Sequence, residues 1–343
     1  MTGKGTTPME YRNLGDSSVK VSTLCLGTMM FGRQTDGRTA QRIVAHARDC
    51  GVNFIDTADV YNDGESERVV GKAIARDRHR WVLATKFGNP MGEDPNRRGL
   101  GRRWVMQAID ESLARLGTDY VDLYYIHHED LSTPQAETVG ALGDLIRAGK
   151  IRYFAISNLR AWRLVDLIHV CRALGVPKPI ASQPYYNMLN RMPEAEELPA
   201  AAAHGLGVVP YSPLARGVLT AKYQPGAVPP SGTRAALKDR RMMETEFRPE
   251  SLRIAQKVRA YAEKRGMSPG HFAVNWVLNH RQVASVIAGP RTFEQWTDYV
   301  GALAHGFTVK DEAFVDRLVA PGHPSTPGYT DPRRPVLGRL SRV

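Results

Sequence analysis

The chain has 343 residues, 42% hydrophobic and 24% charged, an ordinary composition for a folded globular protein, and no run approaches the ~20 apolar residues that a transmembrane helix needs. Its net charge of +11 arises from basic residues mixed with acids and not from an aromatic-interleaved basic stripe, which argues against nucleic-acid binding and leaves steering of an anionic cofactor or substrate as a use for it. Three widely spaced cysteines, Cys25, Cys50 and Cys171, and a start (MTGKGTTPMEYRNLG) without the apolar core of a secretory signal argue against a disulfide framework or CxxC metal site and predict a cytoplasmic protein.

In chain order, the sequence opens with a hairpin pattern at 11–14 and 19–22 around Gly15-Asp16. Short apolar strands then alternate with amphipathic helices, the pattern of a parallel sheet. The strands are LCLG at 24–27, NFID ending at Asp56, WVLATK ending at Lys86, VDLYYIH ending at His127, IRYFAIS ending at Ser157, PIASQ ending at Gln183, GVVPY ending at Tyr211 and ASVIAG ending at Gly289. Thr39 is a candidate cap for a helix that buries Ile43, Ala47 and Cys50 and stops at Gly51. A stripe of Val105, Ile109, Leu113 and Leu116 closes at Gly117. Another, of Val139, Leu142 and Ile146, starts at Thr133-Pro134 and closes at Gly149.

This pattern predicts an α/β fold, a (β/α)8 TIM barrel with an N-terminal β-hairpin and a C-terminal tail. We expect one domain over 1–343, with its core at about 11–320 and the tail at 321–343. An open doubly wound sheet would carry a glycine-rich phosphate loop after an early strand, but GTMMFGRQTDG contains no GxGxxG. Residues 212–249 hold no strand and are rich in proline and glycine; a connection this long, leaving the seventh strand, can reach the barrel mouth. The segment PGHPSTPGYTDPRRP after residue 320 is also loop-like, and the tail carries Arg333, Arg334, Arg339 and Arg342 with no acid after Asp331.

Strand C-termini of such a barrel converge on one mouth, where active sites lie. Asp56, Lys86 and His127 end the second, third and fourth strands, and Tyr61 follows Asp56 by five positions. A phenol, with an ordinary pKa near 10, becomes a usable acid beside an ammonium that stabilises its phenolate. Singly, each residue has an ordinary structural explanation: a turn carboxylate, a solvated lysine, a loop tyrosine and a core histidine with His128 beside it. Their joint placement is what points to proton transfer. No HExxH zinc motif or GxSxG elbow is present, and Asp56 lacks an evident second carboxylate for glycoside hydrolysis.

The stretches FIDTADVY, VLATKFG and VDLYYIHH, with LGTMMFG, IRYFAISN, QPYYN, VVPYSPLARGVLTAKY and IAGPRTFEQ, resemble the aldo-keto reductases over about residues 11–305. The branch they are most similar to is the bacterial one resembling potassium-channel β subunits and aryl-alcohol dehydrogenases; His128 stands where tryptophan or arginine is frequent. The resemblance implies NADPH-dependent reduction of aldehydes or ketones, with Asp56, Tyr61, Lys86 and His127 as the catalytic tetrad. It places Ser157, Asn158 and Gln183 at the carboxamide and Tyr211 against the nicotinamide. Ser212, Leu214, Gly217 and Leu219 fall at the pyrophosphate, Gly289 and Arg291 at the adenosine phosphate, and Gln295 and Asp298 at the adenine. Arg291 favours NADPH, because a guanidinium fork matches a 2′-phosphate.

Met29, Met30, Phe31, the loop from Phe87 to Arg98, His128 and the tail are expected to wall the substrate pocket. The arginines at 97, 98, 102 and 103 are either an anion-binding patch or solvated surface. Small-molecule carbonyls are the expected partners, with no membrane, nucleic acid or metal; homo-oligomerisation is left open. The second reading, from a different class, is an NADP(H)-binding regulatory or assembly subunit that uses the site as a redox sensor.

Overall fold

The computed structural model describes residues 8–337, so Arg339 and Arg342 lie outside the described residues. Strand β1 (Tyr11–Asn13) pairs antiparallel with β2 (Lys20–Ser22). Gly15 makes the turn at φ 62°, and a Cβ there would lie 2.4 Å from the carbonyl oxygen of Gly205. Only glycine therefore lets the hairpin settle against the N-terminal end of the barrel.

Eight strands follow: β3 (Leu24–Gly27), β4 (Phe54–Asp56), β5 (Val82–Phe87), β6 (Val121–Ile126), β7 (Ile151–Ser157), β8 (Ala181–Gln183), β9 (Gly207–Val208) and β10 (Val286–Ala288). They form one parallel sheet in the order β10-β3-β4-β5-β6-β7-β8-β9. The two edges meet through Ala284 N–H to Val208 O (2.9 Å) and Ile287 N–H to Pro210 O (3.0 Å), which closes the (β/α)8 barrel. Between and after the strands lie α1 (Gly37–Asp49), α2 (Glu65–Ile74), α3 (Arg102–Leu116), α4 (Gln135–Arg147), α5 (Ala161–Ala173), α6 (Glu197–Ala203), α7 (Arg240–Thr245), α8 (Pro249–Lys264), α9 (Pro269–Asn279), α10 (Phe293–Ala302) and α11 (Val309–Asp316).

Alternation along each strand sorts side chains into two cores. Leu14 and Val21 from the hairpin fill the lumen with Phe54, Leu123 and Tyr125. Outside, Ile55, Leu83, Tyr124 and Ile126 meet the helix stripes, including Ile43, Val105, Ile109 and Leu142. Each such aliphatic side chain contributes roughly 1.5–3 kcal/mol by burial. The same parity decides the mouth: with Phe54 inside and Ile55 outside, Asp56 points inward, and Lys86 does so beyond Ala84.

Two boundaries differ from expectation. The cap of α1 is Asp36, whose carboxylate accepts from the N–H groups of Arg38 and Thr39 at 2.9 and 3.0 Å; Thr39 sits inside the first turn and donates its own hydroxyl to Asp36. A carboxylate is the stronger acceptor for orphan helix donors. Strand β9 stops at Val208, because Pro210 has no N–H for the ladder, and Tyr211 keeps a single bridge to Tyr185.

Residues 212–249 contain tight turns over Ala215–Thr220, kinked at Arg216 and Gly217, and the helix α7, with no strand. They are clasped to the C-terminal segment. Arg241 pairs with both oxygens of Asp331, and Arg248 lies 3.7 Å over the ring of Tyr329 while donating to Thr326 and Ser325. Among the described residues no helix is long and apolar enough to cross a membrane.

Candidate active site

The C-terminal ends of the strands open into a cleft of about 970 Å³. At its floor, Lys86 is fully buried and spends its three N–H donors on three acceptors: Asp56 Oδ1 at 2.5 Å, the Thr57 carbonyl at 2.8 Å and the Tyr61 hydroxyl at 3.2 Å. The other oxygen of Asp56 accepts from Gln183 Nε2 at 2.9 Å. Burial works against the lysine charge, but Asp56 and Tyr61 together more than offset it, and the ammonium is held above its ordinary range. Because the phenolic oxygen already accepts from Lys86, its own hydrogen is free to point elsewhere in the cleft.

Tyr61 departs from the expectation in one respect. Burial raises its pKa above the ordinary 10.0, and Lys86 only partly opposes that rise. At neutral pH the phenol is therefore proton-loaded, and the ammonium acts by moderating the cost of the phenolate. The turn after Tyr61 is held by Asn62, whose side-chain amide donates to the carbonyls of Met29 and Phe31 at 3.0 and 2.7 Å. Gly64 completes it at φ 83°, where a Cβ would strike the Arg115 side chain at 2.5 Å.

His127 lies edge-on to Tyr61, ring centroids 5.9 Å apart. Burial and then the Lys86 charge push its pKa well below the ordinary 6.5, so the ring is neutral at neutral pH. Its Nδ1 accepts from the side-chain amide of Asn89 at 2.8 Å, which leaves Nε2 as the N–H donor. Asn89 was not anticipated; it sits in the loop after β5, and a single sequence carries no signal for it.

Behind the floor lies a buried charged group. Glu67 accepts from Thr85 and from Arg115 Nε, both at 2.6 Å. Nearby Asp59 has one oxygen on the Val60 N–H and the other without a partner among the described residues. Burial, then Glu67, holds its carboxyl up to about 8.

Away from the floor, Ser157, Asn158, Gln183, Tyr211, Ser212, Leu214, Gly217, Gly289, Arg291, Gln295 and Asp298 all line the cleft. Tyr211 donates to Asn158 Oδ1 at 2.9 Å, and Asn158 donates to Ser157 Oγ and the His127 carbonyl. Ser212, Ala215, Arg216 and Gly217 have φ of 59°, 46°, 51° and 95°. Left-handed residues of this kind shape backbone concavities that suit anions; here the N–H groups of Ala215 and Gly217 are spent on the carbonyls of Ser212 and Leu214 at 2.9 and 2.8 Å, so the positive charge facing the cleft comes from side chains. Lys222, Arg234 and Arg291 add three cations to the same stretch. Lys222 and Arg234 are lowered from their ordinary values by burial, then by neighbouring cations. Only Arg234 has a carboxylate partner among the described residues, Asp239 at 3.1 Å. Lys222 and Arg234 also escaped the sequence reading, because they sit in the irregular 212–249 connection.

A family model described as "Aldo/keto reductase family" matches residues 23–320. The chain belongs to that family. Its relatives include a "Probable voltage-gated potassium channel subunit beta" of Arabidopsis thaliana, 38% identical over 82% of this chain and 87% of that protein. An "Uncharacterized oxidoreductase YrpG" of Bacillus subtilis (strain 168) is 37% identical over 86% and 91%. A "Versiconal hemiacetal acetate reductase" of Aspergillus parasiticus is 32% identical over 92% and 99%. The protein is thus an oxidoreductase of the aldo/keto reductase family.

Three expected site residues do not reach the cleft of this aldo/keto reductase. Phe87 follows inward-facing Lys86 and so points outward, stacked on Tyr124 at 4.5 Å. Phe31 and Leu219 are fully buried in the same outer core. Met29, Met30 and His128 line the cleft. The arginines at 97, 98, 102 and 103 are absent from its lining; Arg97 pairs with Glu111 and Arg102 with Asp144. Among the described residues no group of His, Cys, Asp or Glu is arranged to hold a metal ion.

Proposed function

We propose that the protein is a single-domain, NADPH-dependent reductase of aldehydes or ketones. The observation that carries this reading is Lys86, bonded at once to Asp56 and to the hydroxyl of Tyr61 at the floor of the cleft. The residues present fit the cofactor. The sharply turned backbone at Ser212 and Ala215–Gly217 lets the chain pass close along the cleft, and the surplus of cations there suits a pyrophosphate and a further phosphate. Arg291, with no carboxylate partner among the described residues, suits the 2′-phosphate. Ser157, Asn158 and Gln183 would hold the carboxamide, Tyr211 the nicotinamide face, and Gln295 and Asp298 the adenine. Bound NADPH supplies a hydride to the carbonyl carbon.

The chain's own residues manage the oxygen. His127 directs its Nε2–H at the carbonyl and fixes its position. Tyr61 delivers its proton to the developing alkoxide, while Lys86, neutralised by Asp56, accommodates the phenolate left behind. General acid catalysis of this kind is worth about 100- to 10,000-fold in rate. The three free cysteines fit a reducing, cytoplasmic compartment.

The test is titration of the purified protein with NADPH and NADH, followed by cofactor fluorescence, and then a panel of aldehydes added to the same samples. Tighter binding of NADPH with aldehyde-dependent oxidation is the expected result, and failure to bind either nucleotide would sink the reading. Similarity to the plant channel β subunit favours a second reading, a nucleotide-binding regulatory subunit. Tight NADPH binding with no turnover of any carbonyl is its signature.

The role of Asn89 gives a separate prediction. Asn89→Asp replaces the amide donor with a carboxylate that demands a proton on Nδ1. Reduction should then fall about tenfold or more, as for loss of an oxyanion donor, with kcat/KM newly dependent on pH. An unaltered pH–rate profile would remove Asn89 from the mechanism.

A further inference from the structure

The carbonyl end of the cleft carries charge that neither proton transfer nor cofactor binding uses. The cleft lining that includes His127 also includes His128, Glu129, Asp331, Arg333 and Arg334. Both carboxylates are committed, Glu129 to Arg160 and Asp331 to Arg241. Arg334 has only a 3.9 Å contact with Glu197, and Arg333 has no ion-pair partner among the described residues. The two guanidiniums lie close enough to act on the site: Arg333 helps burial depress the pKa of His128, and Arg334 is the leading charge opposing the rise of Tyr211. Their segment is fastened. The N–H groups of Arg333 and Arg334 bond back to Asp331 at 3.0 and 2.8 Å, and Arg160 donates to the Pro335 carbonyl at 2.8 Å.

We propose that the preferred substrate is an anionic carbonyl compound whose carboxylate is received by Arg333 and Arg334 while its carbonyl lies against Tyr61 and His127. The inference rests on the reductase reading. A guanidinium fork matches the planar carboxylate in geometry and charge. The interaction is made equally in the ground and transition states, so it acts through KM. The arginine-rich stretch at 97–103 cannot serve this purpose, being absent from the lining of the cleft.

The experiment compares 4-carboxybenzaldehyde with its neutral methyl ester, methyl 4-formylbenzoate, using NADPH. The wild-type chain should prefer the acid about tenfold in kcat/KM, the effect of a charge-assisted hydrogen bond at a half-exposed site, with the difference in KM. In the double variant Arg333→Gln, Arg334→Gln the acid-to-ester ratio should fall to about one, and Arg333→Lys should keep part of the preference. Equal use of acid and ester by the wild type, or an unaltered ratio in the double variant, would overturn the proposal while ester turnover left the reductase reading standing. A loss of NADPH affinity in the double variant would overturn it too, assigning the arginines to the cofactor. Absence of turnover with both aldehydes in the presence of bound NADPH would instead remove the reductase reading, and this inference with it.

Discussion

Tyr61→Phe is expected to lower carbonyl reduction by about 100- to 10,000-fold while leaving NADPH affinity nearly intact. The substitution removes one hydroxyl and keeps the ring that lies edge-on to His127. Lys86 loses one of its three acceptors but keeps Asp56 and the Thr57 carbonyl, so the fold should survive at a cost of about 1–2 kcal/mol. Single-turnover kinetics with a saturating aldehyde, alongside nucleotide titration and a thermal melt, separate the three effects. A parallel loss of nucleotide binding would mean that the hydroxyl supports the site rather than donates a proton.

Arg115→Met should destabilise the protein by about 3–5 kcal/mol, the range for removing one partner of a buried ion pair. Glu67 is fully buried, Arg115 is its ion-pair partner at 2.6 Å, and the Asp59 carboxyl is close enough to be raised by it. Removing the guanidinium leaves two acidic groups in the same apolar surroundings. The methionine retains much of the stem that lies against Gly64, so most of the loss is electrostatic. Adding Glu67→Gln should restore much of it, since the amide oxygen can still accept from Thr85. Urea unfolding of both variants checks this. A double variant no more stable than the single one would point to lost packing instead.

The barrel was legible because its signals are periodic. Helix stripes ending in glycine and short apolar runs ending in polar residues survive small errors of boundary. Inward placement of Asp56, Lys86, Ser157 and Gln183 follows from strand parity. The same rule, not applied to Phe87, would have excluded it from the pocket, one step beyond Lys86. Leu219 and Phe31 failed for a different reason: in irregular backbone no period tells a lining side chain from a buried one. The individual roles of Asn89, Lys222 and Arg234 were hidden for the same reason, since each enters the cleft from a loop whose path depends on tertiary contacts, whereas the tail that carries Arg333 was expected at the pocket and does line it. Thr39 lost the helix cap to Asp36, three residues earlier and a better acceptor. The sign of the Tyr61 shift depended on burial, a quantity that spacing along the chain does not contain.

The hairpin and the tail occupy opposite ends of the barrel. Residues 11–22 close its floor against Gly205, whereas residues 321–337 are buckled to the 212–249 connection beside the cleft. A label, purification handle or surface tether joined near residue 8 would therefore stand a full barrel's depth from the chemistry. One joined within residues 332–337 would hang from the rim of the cleft and compete with whatever must pass it.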